Sequence, residues 1–510
     1  MKKLWILFIL NCVTIYSFAQ READSFYFGG CDGGEGCQTC LAPQQGNIFW
    51  FNQDSIQEII DPACFKLATY FSKATFSNKN TGELIFASNG WRLIDNDGVI
   101  LTHKLYFDNM PHPGGGDTTD VYNQSGPLFL PHPGDSTKAY LLYGQLFTPF
   151  VIGGYNLRAD KFFTYALLDI PSKTLISKNN LILSDTSMNG DMQACRHANG
   201  RDWWIVKPHI YSDLYYIGLL TPQGIEMQLI QIPNVPHNLR INSSSKFNIQ
   251  GTKYIQYVGG IQRLIHEYDF DRCNGTLSNF VVHDISDSIA PNDNGLATMT
   301  ISPDGSKFYI QRNNTIFPSL TQGLYQVDFA TNSMELIARY GGTPQMMPNG
   351  KKIIFREDSL VENIGWYSRV SEINNPNASF NELDIHHFKY NPPNALDGIA
   401  PNNFAYMRLG ADTLSICDSL SVITKKSGLK ENGGLALFPN PATYYLQTEV
   451  QEQGTTQYKI TNYYGQVVQF WQSNQITQNI ELSNLNNGFY LLQATSNAGR
   501  VVQKKFVIQR

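Results

Sequence analysis

One short pattern recurs along this chain and restricts its fold more than any other feature: a tight polar turn followed by an alternating, aromatic-rich strand. It is clearest in "TISPDGSKFYIQR", where Pro303-Asp304-Gly305 forms the turn. Proline presets φ, aspartate bonds the backbone that follows, and glycine accepts positive φ. The same grammar returns in "NTGELIFASNG" (80–90), "GDSTKAYLLYG" (134–144), "ANGRDWWIVKP" (198–208), "IQGTKYIQYVGG" (249–260) and "MPNGKKIIFRED" (347–358). Copies fall roughly 45–65 residues apart, the spacing of four-stranded units with variable loops. Many are followed by a second hairpin, as in "GLYQVDFATNSMELIARYGG" and "LIHEYDFDRCNGTLSNFVVHD".

An isolated four-stranded sheet has two faces to bury, and stacking the sheets radially buries both. The expected fold is therefore all-β: a six- to seven-bladed β-propeller over residues 46–415, followed by a small Ig-like β-sandwich. A seventh blade is expected to combine "GNIFWFN" (46–52) with "NNFAYMRLG" (402–410), closing the ring and removing its last free edge. The rival, a row of separate sandwiches, demands linkers rich in Pro, Gly or Ser, and residues 46–410 hold none. Aromatic residues at 13% and charged residues at only 16% suit strands and turns. A net charge of −5 without a basic stripe argues against nucleic acid as a partner.

The N-terminus reads as an export signal, residues 1–19. Lys2 and Lys3 precede a largely apolar run from Leu4 to Ile15, and Ser17-Phe18-Ala19 supplies the small residues of a cleavage site. A lipoprotein reading through Cys12 fits poorly, because Asn11 is not the small residue expected before a lipidated cysteine. No other segment approaches the roughly 18 apolar residues of a membrane span. Beyond the signal lie Cys31, Cys37, Cys40, Cys64, Cys195, Cys273 and Cys417, the first three inside a Cys/Gly-rich segment over 20–45. An oxidising compartment favours disulfides over a zinc site, with at least one thiol left over.

Motifs that resemble chemistry mostly fail on spacing. "HEYDF" (266–270) puts Phe270 where a zinc protease motif needs its second histidine. "SSSK" (243–246) matches a nucleophile motif in letters only, and no Gly-x-Ser-x-Gly elbow is present. Asp95-Asn96-Asp97-Gly98 and Asn292-Asp293-Asn294-Gly295 lack the downstream carboxylate of a calcium loop, so turn chemistry suffices. Alternation along a strand would point His386 and His387 to opposite faces, away from a shared metal. No catalytic residue, metal or cofactor is expected.

Three stretches are candidates for a ligand site at the mouth of the central channel: "MPHPGGGDTTD" (110–120) with His112, Asp117 and Asp120; "PHPGD" (131–135) with His132; and "RHANGRDWW" (196–204) with His197 and Asp202. The structural alternative has His197 and Asp202 brace a blade turn while Trp203 and Trp204 pack between sheets. The blade segments "FSNKNTGELIFASNGWRLIDNDG", "QSGPLFLPHPGDSTKAYLLY", "RHANGRDWWIVKPH", "EYDFDRCNGTLSNF" and "ISPDGSKFYIQ" resemble, in order, those of a group of secreted bacterial propeller proteins over residues 45–410. That resemblance implies fold rather than chemistry.

After the last blade, residues 416–432 form a polar linker and Gly433-Gly434 a hinge. "LALFPNPATYYLQTEV" then opens about seven strands, with turns at Tyr464-Gly465, Asn487-Gly488 and Gly499. Residues 433–510 resemble the C-terminal sorting domain of type IX secretion cargo. The matching residues are Phe438-Pro439-Asn440-Pro441, Leu485, Gly488 and Tyr490, and the basic-apolar end with Lys504 and Lys505. The resemblance implies passage through the periplasm, recognition by the type IX machinery, and a secreted or cell-surface destination. For the passenger, the expected role is non-enzymatic binding of a glycan or protein. The alternative is a secreted hydrolase or lyase acting on polysaccharide or peptide.

Overall fold

The computed structural model describes residues 25–28, 47–52, 55–60, 67, 74–107, 126–152, 155–189, 191–239, 241–259, 264–285, 298–312, 323–361, 365–392, 409–412, 415, 417, 435–438, 442–450, 454–462, 466–497 and 501–508. The signal segment, most of the Cys/Gly-rich segment and all of the linker except Cys417 lie outside them. The chain divides into two compact units, Met1–Thr413 and Leu414–Arg510.

Among its described residues the first unit holds seven antiparallel meanders, one of three strands and six of four. Each quoted turn falls between the first and second strands of a four-stranded sheet. The "SPDG" turn, for example, joins Met299–Ile301 to Lys307–Arg312. There Gly305 has φ +77° and the Asp304 carboxylate accepts from the Ser302 hydroxyl and the Ser306 N–H. Local chemistry thus sets each hairpin, and alternation sends aromatics such as Phe308, Tyr254, Trp203 and Phe86 into buried layers.

First strands of successive sheets lie side by side from the first sheet to the second and the second to the third. They do so again from the fourth through to the seventh. The third and fourth sheets join through the largest apolar cluster, which includes Leu142, Phe163, Trp203, Tyr215 and Phe247. Polar bonds also cross between sheets, with buried Tyr215 donating to Gln256 of the fifth sheet at 2.9 Å. The ring closes by packing: Phe49, Phe51 and Ile56 of the first sheet share a core with Met347, Ile354 and Val370 of the seventh.

The expected combination of residues 46–52 with 402–410 in one sheet falls only partly within the described residues. Strand Asn47–Asn52 is flanked by Ser25–Phe28 on one side and Ser55–Ile60 on the other, so both its edges are taken. The ring therefore recruits a strand from within the segment 20–45. Residues 402–408 lie outside the described residues. Residues 409–412 attach to turns of the fourth and fifth sheets. Arg272 donates to the Gly410 carbonyl at 2.7 Å, and the Asp412 N–H donates to the Ala198 carbonyl at 2.8 Å. Gly200, at φ +71°, leaves room for that approach, since a Cβ there would lie 2.4 Å from the Ala411 nitrogen. Cys273 and Cys417 are disulfide-bonded, whereas Cys195 is a buried free thiol.

The second unit is a sandwich. Strands Leu435–Phe438, Tyr445–Val450 and Thr477–Glu481 form one sheet, and Val467–Ser473, Thr456–Asn462, Gly488–Ser496 and Val501–Ile508 the other. Pairing of second with fifth strand and of third with sixth crosses the chain between the sheets. Leu446, Tyr458, Ile460, Leu492 and Phe506 fill the space between them.

Candidate functional site

Each meander defines two ends of the ring. Turns between strands one and two and between three and four lie at one end. Turns between two and three, and the connections between sheets, lie at the other. His132, His197 and Asp202 sit in one-to-two turns of the third and fourth sheets. His112, Asp117 and Asp120 fall on the connection between the second and third sheets, outside the described residues; that connection enters the third sheet from the opposite end.

The histidines at the first end have structural duties. His132 Nδ1 accepts from the Gly134 N–H at 3.0 Å, and His197 Nδ1 accepts from the Asn199 N–H at 3.0 Å. Asn78, Asn248 and Ser302 occupy the equivalent place in three other sheets and likewise catch a turn N–H with a side-chain acceptor. Burial lowers the His132 pKa, which keeps its ring neutral and Nδ1 free to accept. Asp202 holds Arg201 through both carboxylate oxygens, at 2.7 and 3.0 Å, and accepts from Asn199. His197 stacks on Trp204, and Trp203 and Trp204 are buried between sheets. The Asp95 turn is likewise closed by its own backbone, Oδ1 accepting from Asp97 and Val99. His386 and His387 reach different partners, Asp384 and Glu357.

The opposite end carries two features that no sequence motif announces. In the third sheet, strands Lys138–Ile152, Tyr155–Asp169 and Thr174–Asn189 are 15, 15 and 16 residues long, against 3–9 for the other described strands of the ring. Their extensions form an arm. A bulge at Lys161, an extra residue against the strand Lys138–Ile152, bends the arm at its root. Just beyond it, Asp160 meets Lys207 of the fourth sheet at 2.6 Å, with side chains 0% and 1% exposed. Burial raises the Asp160 pKa, and Lys207 pulls it back by charge and hydrogen bond. Gly144 makes the contact possible, because a Cβ there would fall 1.9 Å from Asp160 Oδ2. So deeply sealed, the pair clamps the arm to its neighbour. Nearby burial pushes the Lys246 amine down to about 8, while Asp191 pulls it up.

The second feature is an aromatic step. Tyr211, in the two-to-three turn of the fourth sheet, stacks on His237, in the connection to the fifth, with centroids 4.1 Å apart. His237 bonds buried Asp213 at 2.7 Å and is itself 56% exposed. Burial works to raise the Asp213 pKa, but hydrogen bonds from Gln231 and His237 bring it below the usual carboxylate value. Tyr211 stacks in turn on His209, whose Nδ1 braces the turn. A half-open ring over a polar edge is a surface that can meet a sugar or peptide ligand. No group of three or more His, Cys, Asp or Glu able to hold a metal occurs among the described residues.

In the sandwich, the motif residues divide into core and edge. Leu485 and Tyr490 are buried; Tyr490 stacks on Phe506 at 5.6 Å and donates to the Asn486 carbonyl at 2.9 Å. Gly488 takes φ +150°, at the turn that feeds this strand. Lys504 and Lys505 are exposed on the last strand, paired with Leu492 and Leu491. Pro439, Asn440 and Pro441 lie outside the described residues, as does the Phe438 side chain.

The family described as "Secretion system C-terminal sorting domain" matches residues 436–509. No curated protein matches the chain. Among solved structures, a candidate 6-phosphogluconolactonase from Bacteroides uniformis aligns at 11% identity and TM-score 0.43, covering 74% of this chain and 97% of that one. The β-propeller domain of the Trilobed protease from Pyrococcus furiosus aligns at 7% identity and TM-score 0.27, covering 72% and 92%. PorZ, a surface component of the type IX secretion system of Porphyromonas gingivalis, aligns at 9% identity and TM-score 0.17, covering 92% and 90%. At such identities and scores these likenesses carry no weight, and the fold rests on the sheet topology. Seven successive antiparallel sheets packed into a ring, followed by that terminal match, describe a β-propeller that ends in a type IX C-terminal sorting domain and is bound for the cell surface or beyond.

Proposed function

We propose that the propeller is a non-enzymatic binding module for a glycan or protein outside the cell, engaging it at the end of the ring that bears the arm. The observation that carries this reading is the arm itself. Three strands of one sheet extend well past the ring's ordinary strand length, and long excursions of that kind usually serve recognition. The Tyr211–His237 step, with exposed His237 stacked on half-buried Tyr211, lies at the same end and supplies a stacking surface. His112, Asp117 and Asp120, on the connection entering the third sheet from that end, would add polar contacts. A leader ending at Ala19 and a tether over 416–432 complete the layout of an exported passenger.

The test uses the mature full-length protein. Binding to envelope polysaccharides and to intact cells is measured for the wild type, for Tyr211→Ala/His237→Ala, and for a form with residues 147–158 replaced by an Asn-Gly turn. The reading expects retained ring stability with binding weakened at least tenfold in both variants. Turnover of polysaccharide or peptide by the wild type, lost in Asp160→Asn or the arm-trimmed form, would overturn it in favour of a hydrolase or lyase.

A further inference from the structure

The sandwich has a charge polarity that its sorting role does not by itself require. Its described carboxylates, Glu449 and Glu481, both lie on the three-stranded sheet, whereas Lys459, Lys504 and Lys505 lie on the four-stranded one. Register then fixes what the outer face of the four-stranded sheet presents. Phe470 and Gln493 flank Lys459, while Val467 and Leu491 flank Thr461. Leu491 in turn faces Lys505, and Phe489 faces Val507. Phe470 is 61% exposed and Val467 55%. Among the described residues that face carries no carboxylate.

We propose that this face is the docking surface by which the tail is gripped, and that its occupant is a protein face of the export machinery combining carboxylates with apolar side chains. The proposal rests on the reading of residues 433–510 as a sorting domain. Charge decides among occupants. A second copy would set Lys459 and Lys505 against the same lysines, and like charges facing each other are penalised. An acidic partner instead pairs them at the rim while Phe470, Val467 and Leu491 supply the apolar centre. Four strands about 4.8 Å apart and some seven residues long give a face on the order of 400 Å², the size of a transient contact rather than a permanent one. Cargo that must be handed on and released needs a contact of that kind.

The test follows the full-length protein in its own host by fractionation into periplasm, cell surface and medium. Lys459→Glu/Lys505→Glu and Phe470→Ser are compared with Tyr445→Ser, an exposed aromatic of the opposite sheet, and with a chain ending before Gly433. The expected result is at least tenfold less external protein and periplasmic accumulation for both face variants. Tyr445→Ser exports normally, and Lys459→Arg/Lys505→Arg restores export. The lysine variants keep the experiment decisive should Phe470→Ser misfold, since both lysines lie outside the core. Normal export of the face variants while the shortened chain is retained overturns the docking face and leaves the sorting role standing. Export of the shortened chain overturns the sorting role as well. A Phe470-dependent dimer of the purified protein would assign the face to a second copy, against the proposal.

Discussion

The ring and the sandwich solve the same problem, two-faced β-sheets in water, in opposite ways. In the ring every sheet lies between neighbours, and among the described residues its exposed large apolar side chains are aliphatics: Val99, Ile176, Leu181, Leu229, Val281 and Val282. In the far smaller sandwich, each sheet buries only its inner face, and the described exposed set includes the aromatics Tyr444, Tyr445, Phe470 and Phe489. Closure removes sticky surface from the passenger, whereas two-layer packing leaves it on the label. A cargo protein benefits from both, because its passenger should stay inert in the periplasm while its label is recognised.

Substitutions that break burial in the ring should have the largest effect. Trp203→Ala removes a fully buried indole and is expected to cost about 3–5 kcal/mol. Denaturant unfolding of the full-length protein should show the ring transition moved and the sandwich transition in place. Asp160→Ala strands the buried Lys207 ammonium and should cost a comparable 3–5 kcal/mol or so. The double variant Asp160→Leu/Lys207→Met should recover most of that loss, and a double as weak as the single would refute the clamp.

A smaller effect tests the outer strands of the fifth sheet, where buried Glu267 bonds buried His283 at 2.8 Å and also pairs with Lys253. Burial opposes charge on both groups, but hydrogen bonds prevail and leave the His283 pKa raised and the Glu267 pKa lowered. The His283 contribution is full below its unfolded value of 6.5 and is lost as pH rises through the raised folded value. The Glu267 contribution is full above its unfolded value of 4.5 and is lost as pH falls through the lowered folded value. A double-mutant cycle with His283→Gln and Glu267→Gln should therefore give about 1–2 kcal/mol of coupling near pH 6, shrinking by pH 9. The smallest effect belongs to the sandwich's open face: Phe470→Ala should change its stability by no more than about 0.5 kcal/mol. A large loss there would mean that the face is already covered.

The six turn-strand units were readable because everything that makes them lies within a dozen residues of Asp304, Gly305 and their counterparts. The first sheet of the ring was half readable. Asn47–Asn52 reads as a strand, but its partner Ser25–Phe28 sits in a glycine- and cysteine-rich neighbourhood that masks it. Closure through Phe49, Phe51 and Val370 depends on side-chain packing between opposite ends of the unit, which no local pattern encodes. His132 and His197 attract notice by residue type, yet their position in the turn is shared with Asn78, Asn248 and Ser302, and position decides their work. Asp160 and Lys207 escape notice because they meet across two sheets while lying 47 residues apart. In the tail, the order of Leu485, Gly488 and Tyr490 was legible because core and turn there are sequential.

The separation of passenger from address is tested most directly by a chain that stops before Gly433, expressed in the native host and followed by fractionation and thermal unfolding. The account predicts that it accumulates in the periplasm with the ring's unfolding transition unchanged. Its arrival in the medium at wild-type levels, or loss of the ring's cooperative transition, would contradict that account.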